Sequence, residues 1–161
     1  MEDATIRLAK PDDGEELAVL LRAFNAEFDE PTPAAAVLAE RISRALAGDS
    51  AFCVVAGDPI VSFGFVTLRP SLWTAGQAAL LDELYTVPGR RSKGIGGQVF
   101  DMILSEARAR GVEDLQTPVD EADHDAHRFY ERHGFPVIRP ATGDRALLLE
   151  YAGRAGLGGE I

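Results

Sequence analysis

Leu81-Asp-Glu-Leu-Tyr-Thr-Val-Pro-Gly-Arg-Arg-Ser-Lys-Gly-Ile-Gly-Gly97 runs from an apolar strand, through a basic and glycine-rich turn, into a helix. A helix N-terminus leaves backbone N–H groups unpaired and carries a partial positive charge, and together these bind phosphate. Glycines at 94, 96 and 97 let a bulky pyrophosphate touch the main chain. Arg90, Arg91 and Lys93 add positive charge at the same turn. Two other phosphate motifs do not apply. The dinucleotide fingerprint needs a third glycine where Val99 stands, and the NTPase loop needs Gly-Lys-Ser/Thr in that order. The glycines and basic residues alone leave two readings open: an anion site, or a turn with glycines for packing and arginines for solubility.

Working outward, the helix predicted over 94–110 turns Ile95, Val99, Met102, Ile103 and Ala107 to one side, with Gly111 just past its end. A strand over 112–117, a short helix over 123–133 closed by Gly134, and a last strand over 146–151 follow. Upstream, Ala78–Thr86 is the third of three strands, after 51–56 and 60–68, and Gly64 inside the second suggests a bulge or a close backbone approach. Before these come a strand at Thr5–Leu8 and a helix opened by the capping box Asp12-x-x-Glu15. That helix places Leu17, Leu20, Leu21, Phe24 and Phe28 on one face. A second helix starts at Thr32-Pro33, with Leu38, Ile42, Ala45 and Leu46 inward. The order β-αα-βββ-α-β-α-β predicts an α/β fold, a mixed and strongly twisted sheet flanked by helices. One domain over 1–152 is expected, with a glycine-rich tail at 153–161 read as disordered.

Composition bounds the function. Apolar residues at 46% and charged residues at 26% are those of an ordinary globular chain. No apolar run reaches the roughly eighteen residues of a membrane span. The single cysteine, Cys53, cannot form an internal disulfide, and it reads as core filler in a cytoplasmic protein. A formal charge of −10 repels nucleic acids and anionic membranes and attracts cationic small molecules.

Two motifs then carry a resemblance. Arg91-Ser-Lys-Gly94-Ile-Gly96, preceded by Thr86-Val-Pro88-Gly-Arg-Arg91, resembles the acetyl-CoA motif of the GCN5-related N-acetyltransferases. Asp123-His-Asp-Ala126-His-Arg-Phe129-Tyr130-Glu131-Arg-His-Gly134-Phe135 is similar to the family's second motif, with Asp for Asn at 123. The resemblance covers roughly residues 4–151. It implies a GNAT-like fold and acetyl-CoA as acyl donor, with no metal. Arg91, Ser92, Lys93, Gly94, Ile95, Gly96 and Gly97 would cradle the pyrophosphate. Asp123, Ala126 and Phe129 would lie along the rest of the cofactor. The backbone of Leu84, Tyr85 and Thr86 resembles the stretch whose N–H groups hold the thioester carbonyl.

The candidate chemistry follows. The family commonly uses the tyrosine at the place of Tyr130 to meet the leaving thiolate. Proton transfer from a tyrosine (pKa about 10) to a thiolate (about 8.5) is uphill by roughly 2 kcal/mol, so a hydrogen bond suffices. Asp82 and Glu83 are neighbours on a strand and are expected on opposite faces, so that one of them, not yet specified, points into the cleft. There it anchors an ammonium or accepts its proton. Glu27, Asp29 and Glu30 sit where the family often lines its acceptor site; they hold a polyamine or aminoglycoside, or they are a solvated helix end. Trp73 caps the cleft or packs a loop. His124 and His127, three apart, have a metal spacing but read better as surface histidines. The expected activity is acetyl transfer from acetyl-CoA to a primary amine of a small cationic acceptor, with a homodimer as the one assembly considered. The alternatives are a protein or peptide N-acetyltransferase and a CoA-binding regulatory module without turnover.

Overall fold

A computed structural model of the protein describes residues 4–145 and 147–149. Its elements follow the expected order: β1 (Ile6–Leu8), α1 (Gly14–Ala26), α2 (Ala35–Ala47), β2 (Ala51–Ala56), β3 (Ser62–Pro70), β4 (Gln77–Thr86), α3 (Ile95–Ala109), β5 (Val112–Gln116) and α4 (His124–Arg132). The chain divides into two compact units, Met1–Thr117 and Pro118–Ile161. The first holds every element but α4. Of the strand expected at 146–151, residues 146, 150 and 151 lie outside the described residues and 147–149 form no strand, and the tail at 153–161 lies wholly outside the described residues. No helix among the described residues is long and apolar enough to cross a membrane.

In the first unit the five strands lie in the order β1-β2-β3-β4-β5. The first four pair antiparallel, and β5 pairs parallel to β4. A parallel neighbour needs a long crossover, and α3 supplies it. Strand alternation sends residues to two faces. On one face Cys53, Val55, Phe63 and Tyr85 pack with Leu17 and Ala18 of α1 and Leu38, Ala39 and Ile42 of α2. On the other, α3 lies over β2 and β3. Its Val99, Phe100 and Ile103 are fully buried, and each such side chain stabilises the fold by about 1.5–3 kcal/mol relative to exposure. The reason for Gly64 lies there: a Cβ at Gly64 would stand 2.3 Å from Ile103 Cδ1. The expected bulge is one pair away, at Phe65/Val66.

Three expectations about helix ends are corrected. The capping carboxylate is Asp13, not the Asp12–Glu15 pair. It accepts from the Lys10 N–H at 2.7 Å and from both Nη atoms of Arg7 at 2.8 Å, and the Arg7 bonds hold its carboxyl below the ordinary value. α2 begins at Ala35, because Ala34 is still extended; Pro33, expected inside the helix, instead accepts from Arg22 at 2.7 Å through its carbonyl. Phe28 is half exposed, since α1 ends at Ala26 and Asp29 turns left-handed at φ 55°.

Candidate active site

The register of β3 against β4 runs Phe65↔Glu83 and then Val66↔Leu81. Asp82 is therefore an extra residue on β4. A bulge breaks the alternation of faces, so the expectation that Asp82 and Glu83 point to opposite sides is overturned. Both line one cavity of about 290 Å³ in the first unit. Its walls are Leu17, Leu21, Ile42, Ala45, Phe63 and Phe65, from the helix pair and the sheet; Thr67 and Arg41 complete it.

The two carboxylates differ in their surroundings. Asp82 accepts from the Thr67 hydroxyl at 2.7 Å; burial raises its pKa and this bond opposes the rise. Glu83 has no side-chain hydrogen bond among the described residues. Burial first, and the neighbouring Asp82 charge second, push its pKa up to about 7. A carboxyl in this state is half protonated near neutral pH and can take or release a proton there.

Beside this cavity, β4 acquires a bare edge. β5 pairs with it only over Gln77–Leu80, and Thr117 Oγ1 donates to the Leu81 carbonyl at 3.3 Å. Beyond that point no strand among the described residues continues along this edge. The Val87 N–H bonds to the Val61 carbonyl, on the β3 side, at 2.9 Å. Two-residue alternation then turns the polar backbone groups of Leu84 and Thr86 toward the bare edge. Arg91 Nε donates to the Thr86 carbonyl there at 2.8 Å.

The basic turn follows directly. Ser92 (φ 60°) and Gly94 (φ 85°) are both left-handed, and Ile95 opens α3. The N-cap of α3 is Gly94, which has no side chain to cap the first turn, and a helix start of this kind suits an anion such as a pyrophosphate. Arg91 also bonds through Nη2 to both carboxylate oxygens of Glu27, at 2.8 and 2.9 Å. Glu27 in turn accepts from the Tyr85 hydroxyl at 3.0 Å. The guanidinium lies 5.4 Å from the centre of the Tyr85 ring, and burial raises the Tyr85 pKa.

In the second unit Asp123 caps α4, its Oδ1 accepting from the Ala126 N–H at 2.9 Å. Asp serves here as well as Asn, which makes the departure from the motif harmless to the helix. Phe129 and Tyr130 meet edge to face at 5.3 Å, Tyr130 is buried, and Phe135 lies 6.4 Å from it. His127 Nε2 is 2.9 Å from the Asp120 carbonyl oxygen. Among the described residues no three His, Cys, Asp or Glu gather as metal ligands.

The structure thus brings together two sets of the expected residues: Asp82 with Glu83, and Glu27 with Tyr85 and Arg91. Asp29, Glu30 and Trp73 are exposed and do not line the cavity. Trp73 stands on the β3–β4 connection with 94% of its surface exposed. Sequence reasoning missed Arg41 and Thr67. Thr67 was legible in part, as a hydroxyl on the same strand face as Phe63 and Phe65. Arg41 was not, being one more charge beside an apolar helix stripe.

The Acetyltransferase (GNAT) family pattern matches residues 17–135. A crystal structure from Arthrobacter sp. FB24, assigned as an acetyltransferase, is 38% identical, with 94% of this chain and 96% of that one covered and a TM-score of 0.83. An aminoglycoside acetyltransferase from an uncultured soil metagenomic sample, in complex with sisomicin, shares the fold at 17% identity (TM-score 0.75, 94% and 97% covered). So does a ribosomal-protein-alanine N-acetyltransferase from Brucella melitensis biovar Abortus 2308, at 22% (TM-score 0.70, 94% and 99% covered). With both sequence motifs, the bare edge of β4 and the glycine N-cap of α3 in place, this chain belongs to the GNAT family, as an acetyl-CoA-dependent acetyltransferase.

Proposed function

We propose that the enzyme acetylates the primary amine of a small molecule held in the cavity at Asp82 and Glu83. The observation that carries this reading is the bulge on β4, which puts two carboxylates into one apolar-walled cavity and raises Glu83 to about 7. Apolar walls make a carboxylate a stronger partner for an ammonium than it is in water. The −10 charge of the chain favours the ammonium end of an acceptor at these carboxylates.

Acetyl-CoA supplies an activated acyl group as its thioester. Its pyrophosphate fits the N–H groups at Gly94–Gly97 with Arg91 and Lys93, and its thioester carbonyl fits the backbone at Leu84–Thr86. Asp123, Ala126 and Phe129 contribute on α4, as the motif implies. The amine nitrogen bonds to the acetyl carbon, and the carbon–sulfur bond breaks. Glu83 takes the ammonium proton, directly or through water, and passes it to solvent, and the nitrogen gives up a second proton by the same route as the amide forms. Tyr130 hydrogen-bonds the departing sulfur and keeps its proton, and the thiolate takes one from solvent, so that the products are the amide and free CoA thiol. A base of pKa about 7 facing an amine of about 10.4 works uphill by roughly 4.6 kcal/mol, against roughly 8 for an ordinary carboxylate. Raising Glu83 therefore removes a large part of the barrier to freeing the amine.

The experiment is thiol release from acetyl-CoA across a panel of amines, with Glu83→Gln beside the wild type. Release with some amine, cut at least tenfold by the substitution, supports the reading. Binding of acetyl-CoA with no release for any amine would leave a CoA-binding module instead.

A further inference from the structure

The cavity holds a second, opposite charge that the acetyl-transfer reaction does not use. Arg41 lines it from α2, while Asp82 and Glu83 line it from β4. Among the described residues the Arg41 side chain makes no hydrogen bond or ion pair, and neither does Glu83. Asp82, by contrast, is engaged by Thr67. The rest of the lining besides Thr67 is apolar: Leu17, Leu21, Ile42, Ala45, Phe63 and Phe65.

Each property excludes something. Hydroxyls and extra amines set against apolar walls lose hydrogen bonds to water without replacement, at about 1–3 kcal/mol each in proteins. A second ammonium on the acceptor would face Arg41 and be repelled. Pockets for drug-sized ligands span about 300–1,000 Å³, and about 290 Å³ is at the foot of that range. An aminoglycoside meets all three objections, and a polyamine meets the first two. One kind of molecule satisfies every group present: a compact one with an amine at one end, an apolar body, and an anion at the other.

From this we infer that Arg41 sets the acceptor specificity, and that the acceptor is a small apolar amino acid with its primary amine at Glu83 and its carboxylate at Arg41, at opposite ends of the body. The inference rests on the acetylation reading for its chemistry, but the recognition can be tested by itself. Four acceptors built on six carbons separate the possibilities: ε-aminocaproate, its amide, hexylamine and hexamethylenediamine. In the wild type, kcat/KM for aminocaproate is expected to exceed that for the amide and the diamine by at least tenfold. Arg41→Gln is expected to bring aminocaproate down to the level of the amide while the amide itself stays within a factor of two or so. Arg41→Glu is expected to reverse the order in favour of the diamine. Arg41 is exposed on α2, so neither substitution threatens the core.

Calorimetry with the same four compounds reads binding without turnover. Preferential binding of aminocaproate, lost in Arg41→Gln, keeps the inference even where no thiol is released, and it is then the reaction that fails. A wild type that takes the diamine or the amide as well as the acid overturns the inference. So does an Arg41→Gln variant that loses acid and amide equally, or a protein that binds none of the four.

Discussion

Glu27 at the end of α1 and Arg91 in the basic turn, 64 positions apart, are joined by two hydrogen bonds of 2.8 and 2.9 Å. The pair ties the edge of the acceptor layer to the turn that meets the acyl donor. A carboxylate this close competes with phosphate for the same guanidinium. Glu27→Gln is therefore expected to tighten acetyl-CoA binding by a few-fold at low salt, with the gain fading as salt screens the charges. The amine KM is expected to stay unchanged, as it is for Asp29→Asn and Glu30→Gln. The side chains are part-exposed, so the pair itself is worth only about 0–1 kcal/mol of stability. Calorimetry at two salt concentrations checks the claim. A raised amine KM with acetyl-CoA unaffected would put Glu27 back at the acceptor.

The bulge at Asp82 predicts a pH profile. In the proposed mechanism Glu83 acts ionised, and burial and Asp82 push its pKa up to about 7, so kcat/KM is expected to fall as pH drops below neutrality. Asp82 contributes to the rise through its charge, and Arg41 and Thr67 share the cavity. Asp82→Asn is expected to move this acid limb to lower pH; an unmoved limb would disconnect it from Glu83.

The same shift affects folding. A carboxyl raised in the folded state above its ordinary value near 4.5 gives stability that is full below that value. The stability is lost as pH rises through about 7. Melting temperatures measured from pH 4 to 8 are expected to fall for the wild type relative to Glu83→Gln within that window. Parallel curves would show that Glu83 titrates normally.

Helix and strand periods in the sequence were enough to place the elements in order, because each buries one face and leaves a clear period. The basic turn was legible because its glycines and arginines have local jobs. The shared cavity of Asp82 and Glu83 was not: alternation argued against it, and a bulge depends on how β3 and β4 register, a property of two strands together. The Glu27–Arg91 pair was hidden for the same reason. Each residue was assigned to a different ligand from its own neighbourhood, and only the fold brings α1 to the turn before α3.

Gly64 allows a test of the core. Gly64→Ala drives a methyl against Ile103 Cδ1, with Leu84 Cδ1 and Val99 Cγ1 at 3.3 and 3.5 Å from the same position. Overpacking of this kind costs about 1–3 kcal/mol. Ile103→Val in the same chain is expected to recover most of that loss, because it removes the clashing methyl. Denaturant melts of the two singles and the double variant give the coupling, and additive losses would mean that α3 does not rest on Gly64.

Gly94 and Gly96 test the donor turn. Gly94 holds φ 85°, which a side chain strains, and a branched residue at 96 covers the N–H groups of the first helical turn. Gly96→Val is expected to weaken acetyl-CoA binding by more than tenfold, about 1.4 kcal/mol or more, while the melt stays cooperative. Unchanged affinity in a folded variant would remove the turn from the donor site.

Tyr130 separates chemistry from binding. Its ring is buried between Phe129 and Phe135, and phenylalanine keeps that ring, so Tyr130→Phe is expected to fold normally. What it loses is one hydroxyl. If that hydroxyl meets the sulfur only as negative charge develops, the loss appears in kcat and leaves acetyl-CoA affinity nearly unchanged. A fall of roughly ten- to a thousandfold is ordinary for one such donor. The sulfur's own acidity supplies a further check. A thioester whose thiol has a lower pKa leaves without help, so the gap between wild type and Tyr130→Phe is expected to narrow with such a donor. Wild-type turnover in the variant, or a gap that ignores the leaving group, would make Tyr130 a packing residue of α4 and leave the departing thiolate to another group.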